Sequence, residues 1–249
     1  MGRFATTAHL YEQFRPPYPP AFFHNVAGKL GLSKRDRLID LGTGPGLIAL
    51  GFAPYVRQVV GVDPEPAMLE AAGRAAARVG EDLVLIEGTA ERLGREVGPF
   101  DVVTIGRALH WMDLDLVGPL LERLVAPGGA FLVCSASSAA DSRNAWHEEY
   151  MKARQFWSGP AGAGRHRPNL AAVLAGTRFR VGETVEVESR NEVSAGDLAR
   201  RVLTFSGSSP AVLGERADAM LRDVEQRLLP FSRDGVIEEV VLSKADIAR

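Results

Sequence analysis

The chain has 249 residues, of which 46% are hydrophobic and 24% are charged, as in an ordinary globular protein. The formal net charge of −2 gives no basic surface for DNA or RNA, and the single cysteine, Cys134, excludes disulfide frameworks and multi-cysteine metal sites. No apolar run approaches the ~20 residues of a membrane span, and the polar N-terminus does not resemble a signal peptide. We therefore expect a cytoplasmic protein without a membrane or nucleic-acid partner.

Short apolar runs alternate with helical patterns in the first half of the chain. The predicted strands cover residues 38–41, 58–62, 83–86, 101–105 and 130–134. The predicted helices cover residues 47–53, 64–79 and 115–125, with Pro127-Gly128-Gly129 ending the last. This alternation favours an α/β fold with a parallel sheet, and the uniformly apolar strands indicate a sheet covered on both faces.

The second half of the chain is less regular. Residues 143–157 predict a helix rich in aromatic and charged side chains, and the composition of residues 158–169 predicts a loop with three basic residues. Valine alternates with polar residues over 183–193, which is typical of a half-exposed strand. The remaining predictions are a helix capped by Ser194 and Asp197, a helix from Ser209 to Pro230, and a last strand over 236–242.

A glycine turn follows the first predicted strand, in Asp40-Leu41-Gly42-Thr43-Gly44-Pro45-Gly46. A glycine turn between a strand and a helix lets a cofactor approach the backbone. The dinucleotide fingerprint G-x-G-x-x-G would need a glycine at Leu47, and Asp40 would repel a pyrophosphate. A cofactor that carries an ammonium and a sulfonium would tolerate this acid. A tight turn without a ligand is the alternative, although three glycines and an acid exceed what a turn requires.

Asp63 ends the next strand and lies 21 residues after Gly42. An acid at this spacing can accept hydrogen bonds from ribose hydroxyls. Alternatively, Asp63 caps the helix that begins beside Pro64. Its combination with the glycine turn favours the ribose interpretation.

Five segments carry a resemblance to a known family. They are LIDLGTGPG, VVGVDPEPAML, IEGTAERL, FDVVTIGRALHWMD and LVAPGGAFLV, in this order between about residues 36 and 136. They resemble the motifs of class I S-adenosylmethionine-dependent methyltransferases, in the small-molecule branch with a ubiquinone/menaquinone-type methyltransferase domain. The segment from Tyr11 to Pro19 also resembles the lid of that branch.

The resemblance implies that S-adenosyl-L-methionine is the cofactor and assigns it contacts. Its methionine end would meet Asp40, Gly42, Thr43, Gly44 and Gly46, its ribose Asp63, and its adenine Pro64, Met68 and Ala90. The family usually has Asp where this chain has Thr89, so Thr89 or Glu91 would supply the contact to the adenine amino group. Tyr11, Arg15 and Tyr18 would close over the methionine carboxylate, or alternatively belong to an extended tether with its aromatic rings on the core.

The residues that follow the fourth strand are candidates for the chemistry, because ligands bind beyond the carboxyl ends of parallel strands. His110 could act as a general base, since its ordinary pKa near 6.5 suits neutral pH, or it could pack at the start of a helix. Trp111 could line the methyl-donor site or pack on the core. We expect Arg107 among the cofactor-binding residues, where it could also contact an anionic acceptor. Alternatively, it forms an ion pair at the surface.

The resemblance implies a Rossmann-like, seven-stranded, mostly parallel sheet with helices on both faces and a helical substrate cap. We expect one methyltransferase domain over 1–249, with a lid (1–35), a cofactor-binding core (36–136), and cap helices with the final strands (137–249). The expected reaction is methyl transfer to the N, O or carboxylate group of a small molecule, in natural-product or secondary metabolism. The alternatives are a cofactor-binding protein without methyl transfer and an NAD-dependent oxidoreductase. No metal ligand set is present by spacing, and the oligomeric state is open.

Overall fold

The computed structural model describes residues 8–159 and 168–249. Most of the loop predicted over 158–169, including its three basic residues, lies outside the described residues. The described residues divide into two compact units. We call residues 18–135, 168–187 and 243–249 the sheet unit, and residues 8–17, 136–159 and 188–242 the helical unit.

Seven strands form a single sheet in the order β3-β2-β1-β4-β5-β7-β6. Their bounds are β1 Arg37–Leu41, β2 Gln58–Asp63, β3 Leu83–Glu87, β4 Phe100–Gly106, β5 Val125–Ser138, β6 Val181–Ser194 and β7 Val236–Ala248. The pairs among β1 to β5 are parallel. Arg180 and Arg249 exchange backbone hydrogen bonds in both directions, as residues beside an antiparallel β6–β7 pair do. The predicted fold class, a mostly parallel seven-stranded sheet with helices around it, is confirmed.

The described residues also form ten α-helices. They are α1 Ala8–Phe14, α2 Pro20–Leu30, α3 Leu47–Phe52, α4 Pro66–Val79, α5 Leu114–Leu124, α6 His147–Ser158, α7 Leu170–Val173, α8 Ala195–Val202, α9 Pro210–Leu213 and α10 Ala217–Leu228. The predicted cap of α8 is present, because the backbone N–H of Asp197 donates to Ser194 Oγ at 2.9 Å. The predicted helix over 209–230 is instead broken at Gly214, where α9 ends.

The strand predicted over 130–134 is longer than expected. Helix α5 ends at Leu124 and β5 begins at Val125, so the Pro-Gly-Gly segment lies inside the strand. Glycine permits this path: Gly128 has a φ of +79°, and a Cβ on Gly129 would lie 2.7 Å from the carbonyl oxygen of Asp101. The pairing with β4 shifts register at this point, between Phe100 and Val102, as at a bulge.

The core of the sheet unit consists of apolar side chains from the strands and from α5. Leu38, Ile39, Leu121, Leu124 and Phe131 are fully buried. Burial of each such side chain stabilises the fold by about 1.5–3 kcal/mol, so this core fixes the strand ends on which the candidate site is built.

The helical unit packs α6, α8 and α10 around a second core that includes Trp146, Leu198 and Met220. It also buries an ion pair: Arg201 Nη1 and Nη2 donate to the two carboxylate oxygens of Glu239 at 2.5 and 2.8 Å. Removing one partner of such a pair typically costs about 3–5 kcal/mol, because the other charge is left buried and uncompensated.

Candidate active site

The glycine turn after β1 is the centre of the site in the sheet unit. Gly42, Gly44 and Gly46 have φ angles of +71°, +55° and +83°, which L side chains rarely adopt. A Cβ on Gly42 would collide with the side chain of Ala108, and one on Gly46 would lie 3.2 Å from Ala72 Cβ. A Cβ on Gly44 would meet no atom within 4 Å. Among the three glycines, Gly44 therefore has space beside it for a ligand.

Asp63 holds this turn against the end of β2. Its Oδ2 accepts a hydrogen bond from the backbone N–H of Gly44 at 2.8 Å, and its Oδ1 accepts one from Glu65 N–H at 3.0 Å. The alternative that Asp63 caps the helix is wrong, because α4 begins at Pro66 with Glu65 as its N-cap residue and has no side-chain cap. The bond to Glu65 N–H lies in the turn that precedes the helix. Each carboxylate oxygen keeps a further lone pair, so a ribose hydroxyl can still donate to it. Burial raises the pKa of Asp63, while the two backbone hydrogen bonds lower it.

Asp40 lies beneath the turn and is 1% exposed. Its Oδ1 accepts a hydrogen bond from Thr104 Oγ1 at 2.7 Å, a contact that the sequence did not predict. Burial raises the pKa of Asp40 to about 7, although the hydrogen bond from Thr104 opposes the shift and the charge of Asp63 adds to it. Asp40 therefore changes charge near neutral pH.

Thr43 is buried beside Gly61 of β2. Its backbone N–H donates to the carbonyl of Val62 at 2.9 Å, and a Cβ on Gly61 would lie 2.9 Å from Thr43 Cγ2. The absence of a side chain at Gly61 thus allows the turn to lie close to β2.

The turn after β3 joins the same edge. Gly88 N–H donates to the backbone carbonyl of Asp63 at 3.1 Å. Thr89 is half-buried and Ala90 is buried, whereas Glu91 Oε1 accepts a hydrogen bond from the backbone N–H of Asp113 at 3.0 Å. Two more residues were expected near the adenine. Met68, on α4, is buried, and Pro64, just before that helix, is exposed.

The segment after β4 completes the edge. Arg107 has a φ of +59°, which is uncommon for a residue other than glycine. Its guanidinium lies 5.0 Å from the ring centroid of Tyr18. His110 and Trp111 belong to a short helical turn, and their ring centroids are 5.2 Å apart. The sequence named these residues, but it did not predict the strained backbone of Arg107 or the contact of Ala108 with the glycine turn.

Tyr11 and Arg15 belong to the helical unit, and Tyr18 to the sheet unit. The guanidinium of Arg15 lies 4.9 Å from the Tyr11 ring centroid and 4.0 Å from that of Phe205, and its Nη2 donates to the carbonyl of Thr204 at 3.0 Å. Tyr18 is 9% exposed and its ring lies 5.1 Å from that of Phe22, which is the core-packing contact that the sequence left as an alternative.

Over residues 8–159 and 168–249, the structure contains no group of three or more His, Cys, Asp or Glu side chains that could hold a metal ion. None of the helices in these ranges is long and apolar enough to cross a membrane.

Comparison with known proteins identifies the region that carries this site. Residues 39–133 match the sequence profile of the family described as "Methyltransferase domain". An uncharacterized methyltransferase of Mycobacterium tuberculosis is 32% identical over 126 residues, which are 51% of this chain and 49% of that protein. The chain thus spans about half the length of this curated relative.

Two solved structures share the fold over nearly the whole chain. A protein described as a type II methyltransferase, from Anaeromyxobacter dehalogenans, is 21% identical with a TM-score of 0.67, over 94% of this chain and 97% of its own. A SAM-dependent methyltransferase from Thiobacillus denitrificans, in complex with S-adenosyl-L-homocysteine, is 18% identical with a TM-score of 0.58, over 100% of this chain and 98% of its own.

Proposed function

We propose that this protein, whose residues 39–133 match the sequence profile of a methyltransferase domain, is a class I methyltransferase that binds S-adenosylmethionine at the carboxyl edge of its sheet and methylates a small molecule. The observation that carries the proposal is the pairing of Gly44 with Asp63. One backbone hydrogen bond of 2.8 Å places an acid beside a glycine that has open space around it. A ligand that approaches the glycine turn would therefore meet a carboxylate at once.

The residues at this edge fit S-adenosylmethionine better than a dinucleotide. Two acids, Asp40 and Asp63, lie at the turn, and each repels a pyrophosphate when it is ionised. The ammonium and sulfonium groups of S-adenosylmethionine would instead be attracted. The related fold of Thiobacillus denitrificans was crystallised with the demethylated cofactor, which supports the same choice for this chain.

We assign each part of the cofactor to residues of this edge. The methionine end would lie on Asp40, Gly42, Thr43, Gly44 and Gly46, the ribose on Asp63, and the adenine near Pro64, Met68, Thr89, Ala90 and Glu91. When bound, S-adenosylmethionine would supply an electrophilic methyl group on a positively charged sulfur. The chain's own task is to hold the acceptor in line and to exclude water, and positioning alone can supply about 7–11 kcal/mol.

His110 is the proposed general base for an acceptor that arrives protonated. It follows β4 at the same edge, and a positioned base typically contributes ~10²–10⁴-fold. An amine or hydroxyl acceptor would need such a base, whereas a carboxylate is already ionised at pH 7. We expect His110→Ala to lower kcat strongly for an amine or hydroxyl acceptor and little for a carboxylate acceptor. A wild-type pH–rate profile without an ionisation between about pH 5 and 8, with full kcat in the variant, would assign His110 a packing role.

The cofactor assignment is tested by titration calorimetry with S-adenosyl-L-homocysteine on wild type and Asp63→Asn. We expect the variant to bind at least about tenfold more weakly, because charge-assisted hydrogen bonds to the ribose diol are worth about 1.5–3 kcal/mol each. The matched control is Asp82→Asn, an exposed acid in the turn after α4, which should bind as wild type does.

The same titration distinguishes the alternatives. Wild-type protein that binds NAD but not S-adenosyl-L-homocysteine would overturn the proposal in favour of an oxidoreductase. Unchanged affinity in folded Asp63→Asn would remove the ribose assignment. If S-adenosyl-L-homocysteine binds but no metabolite of a test panel receives a labelled methyl group, the protein binds the cofactor without transferring methyl groups.

A further inference from the structure

One aromatic ring of the helical unit has two guanidinium groups against it. The Cζ atom of Arg154 lies 3.6 Å from the ring centroid of Phe205, and that of Arg15 lies 4.0 Å from it. A third cation, Arg201, lies close enough to act electrostatically on Tyr150, but its charge is balanced by the two-pronged pair with Glu239. The unit therefore gathers positive charge around this ring, and Glu239 neutralises that of Arg201.

Arg154 is the cation that lacks a counter-charge. Among the residues that the structure describes, none places a carboxylate within 4.0 Å of it, and its one side-chain hydrogen bond is a 3.9 Å contact to Met151 Sδ. Burial lowers the pKa of Arg154 from its ordinary value. A guanidinium stays protonated at neutral pH even so, which leaves a half-buried positive charge without a partner.

The Tyr150 hydroxyl is a second unused polar group in this region. Tyr150 precedes Arg154 by one turn of α6, is 4% exposed, and its Oη has no hydrogen-bond partner within the described part of the chain. Burial raises the pKa of Tyr150, so the hydroxyl keeps its proton and can donate. Leaving such a group buried and unpaired is costly, and proteins retain few of them.

A cavity of about 830 Å³ opens beside α6, with Arg154 in its wall. The other charged side chains of the wall are paired: Asp141 with Arg143, and Lys152 with Glu148. Asn144 and the apolar chain of Met151 also line it. Arg154 is therefore the unpaired charge of the wall, and the cavity is large enough for a metabolite.

We infer that the helical unit binds a carboxylate group of the acceptor at the cavity beside α6, with Arg154 as the counter-cation. Phe205, from another segment of the unit, supports the guanidinium, and the Tyr150 hydroxyl, one turn before Arg154 on the same helix, is assigned as a donor to the carboxylate. One planar guanidinium and one hydroxyl match the two oxygens of a carboxylate. A polyphosphate carries several negative charges and would need more cations than the one unpaired guanidinium of this wall. The binding of a carboxylate stands on the helical unit alone, whereas its identity as the methyl acceptor rests on the proposed function.

The experiment is a calorimetric titration of the full-length protein with acetate, hexanoate, benzoate and indole-3-acetate. Benzamide serves as the neutral probe and inorganic phosphate as a second anion. We expect at least one carboxylate to bind, with benzamide and phosphate at least tenfold weaker. Arg154→Gln should weaken the binding carboxylate at least tenfold and Tyr150→Phe about threefold or more, while Arg222→Gln, an exposed arginine of α10, should leave it unchanged.

Each contrary outcome overturns the inference. No binding of any carboxylate, equal binding of phosphate, or unchanged affinity in folded Arg154→Gln would exclude a carboxylate site at this position. Binding of S-adenosyl-L-homocysteine to the wild-type protein is measured in parallel. If S-adenosyl-L-homocysteine does not bind, the proposed function is overturned, but the carboxylate result still stands. If no carboxylate binds, the inference is overturned, but the proposed function still stands.

Discussion

The two candidate sites, one in each unit, are built from different parts of the chain. The site of the sheet unit consists mainly of backbone: a glycine turn, the ends of four parallel strands, and two short-chained acids. That of the helical unit consists of long side chains, Tyr150, Arg154 and Phe205, that come from two segments about fifty residues apart. A site made of backbone can be recognised in the sequence from glycines at fixed spacing, whereas a site made of distant side chains has no such sequence pattern.

This difference fits two kinds of ligand. A cofactor that does not vary can be held by main-chain groups, whose positions follow from the fold. An acceptor that differs between related enzymes has to be recognised by side chains, which can change while the fold persists. Substitutions that change ligand binding in one unit and not in the other test this difference.

The largest effect is expected at Gly44. Gly44→Val forces a β-branched residue to a φ of +55° and fills the space beside the turn, so we expect S-adenosyl-L-homocysteine binding to be abolished. The control is Gly80→Val at the end of α4, where φ is +72° and a Cβ likewise meets nothing within 4 Å. Both variants should lose about 1–3 kcal/mol of unfolding free energy through backbone strain, but only the first should lose the ligand. Equal affinity in the two variants would make the turn purely structural.

The sequence predicted the sheet unit well because its pattern is local. Each strand is an apolar run, and Gly42, Gly44, Gly46 and Asp63 stand at fixed distances from strand ends. What it missed depends on distant contacts: the burial of Asp40 under Thr104, and the passage of β5 through Pro127-Gly128-Gly129, which pairing with β4 permits.

In the helical unit, the sequence predicted α6 as a cap helix rich in aromatic and charged residues, without assigning a role to Tyr150 or Arg154. The spacing of Tyr150 and Arg154, four apart on one helix, was a readable signal that both lie on one face. The contact of Arg154 with Phe205 could not be predicted, because no local pattern links residues about fifty positions apart. The ion pair of Glu239, on β7, with Arg201 could not be predicted for the same reason.

A smaller effect is expected from pH at Asp40. Its pKa of about 7 in the folded protein lies above the value of 3.8 for an unfolded chain. A cationic cofactor favours the ionised form, so affinity for S-adenosylmethionine should rise with pH and level off above about pH 8. Below pH 7 it should fall by up to about tenfold per pH unit.

Stability should change with pH in the opposite sense. The folded state holds this proton more tightly than the unfolded state between about pH 4 and pH 7, so the Asp40 contribution to the unfolding free energy falls as pH rises through that window. Asp40→Asn should abolish both dependences when it is compared with wild type by calorimetry and by urea unfolding. A variant with the wild-type pH dependence of affinity would mean that another group titrates.

The smallest effect is expected at Tyr150, and it separates stability from binding in the helical unit. Tyr150→Phe removes a buried hydroxyl that has no partner among the described residues and leaves the ring in place. Since an unpaired buried hydroxyl costs about 1–3 kcal/mol, the variant should unfold at a higher urea concentration than wild type, with an unchanged m-value. If the hydroxyl is kept for a ligand, a saturating carboxylate should stabilise the wild type more than the variant, and the difference in stability should shrink. A variant that is less stable than wild type without ligand would mean that the hydroxyl has a partner in the folded protein, and the carboxylate would then have no free donor at this position.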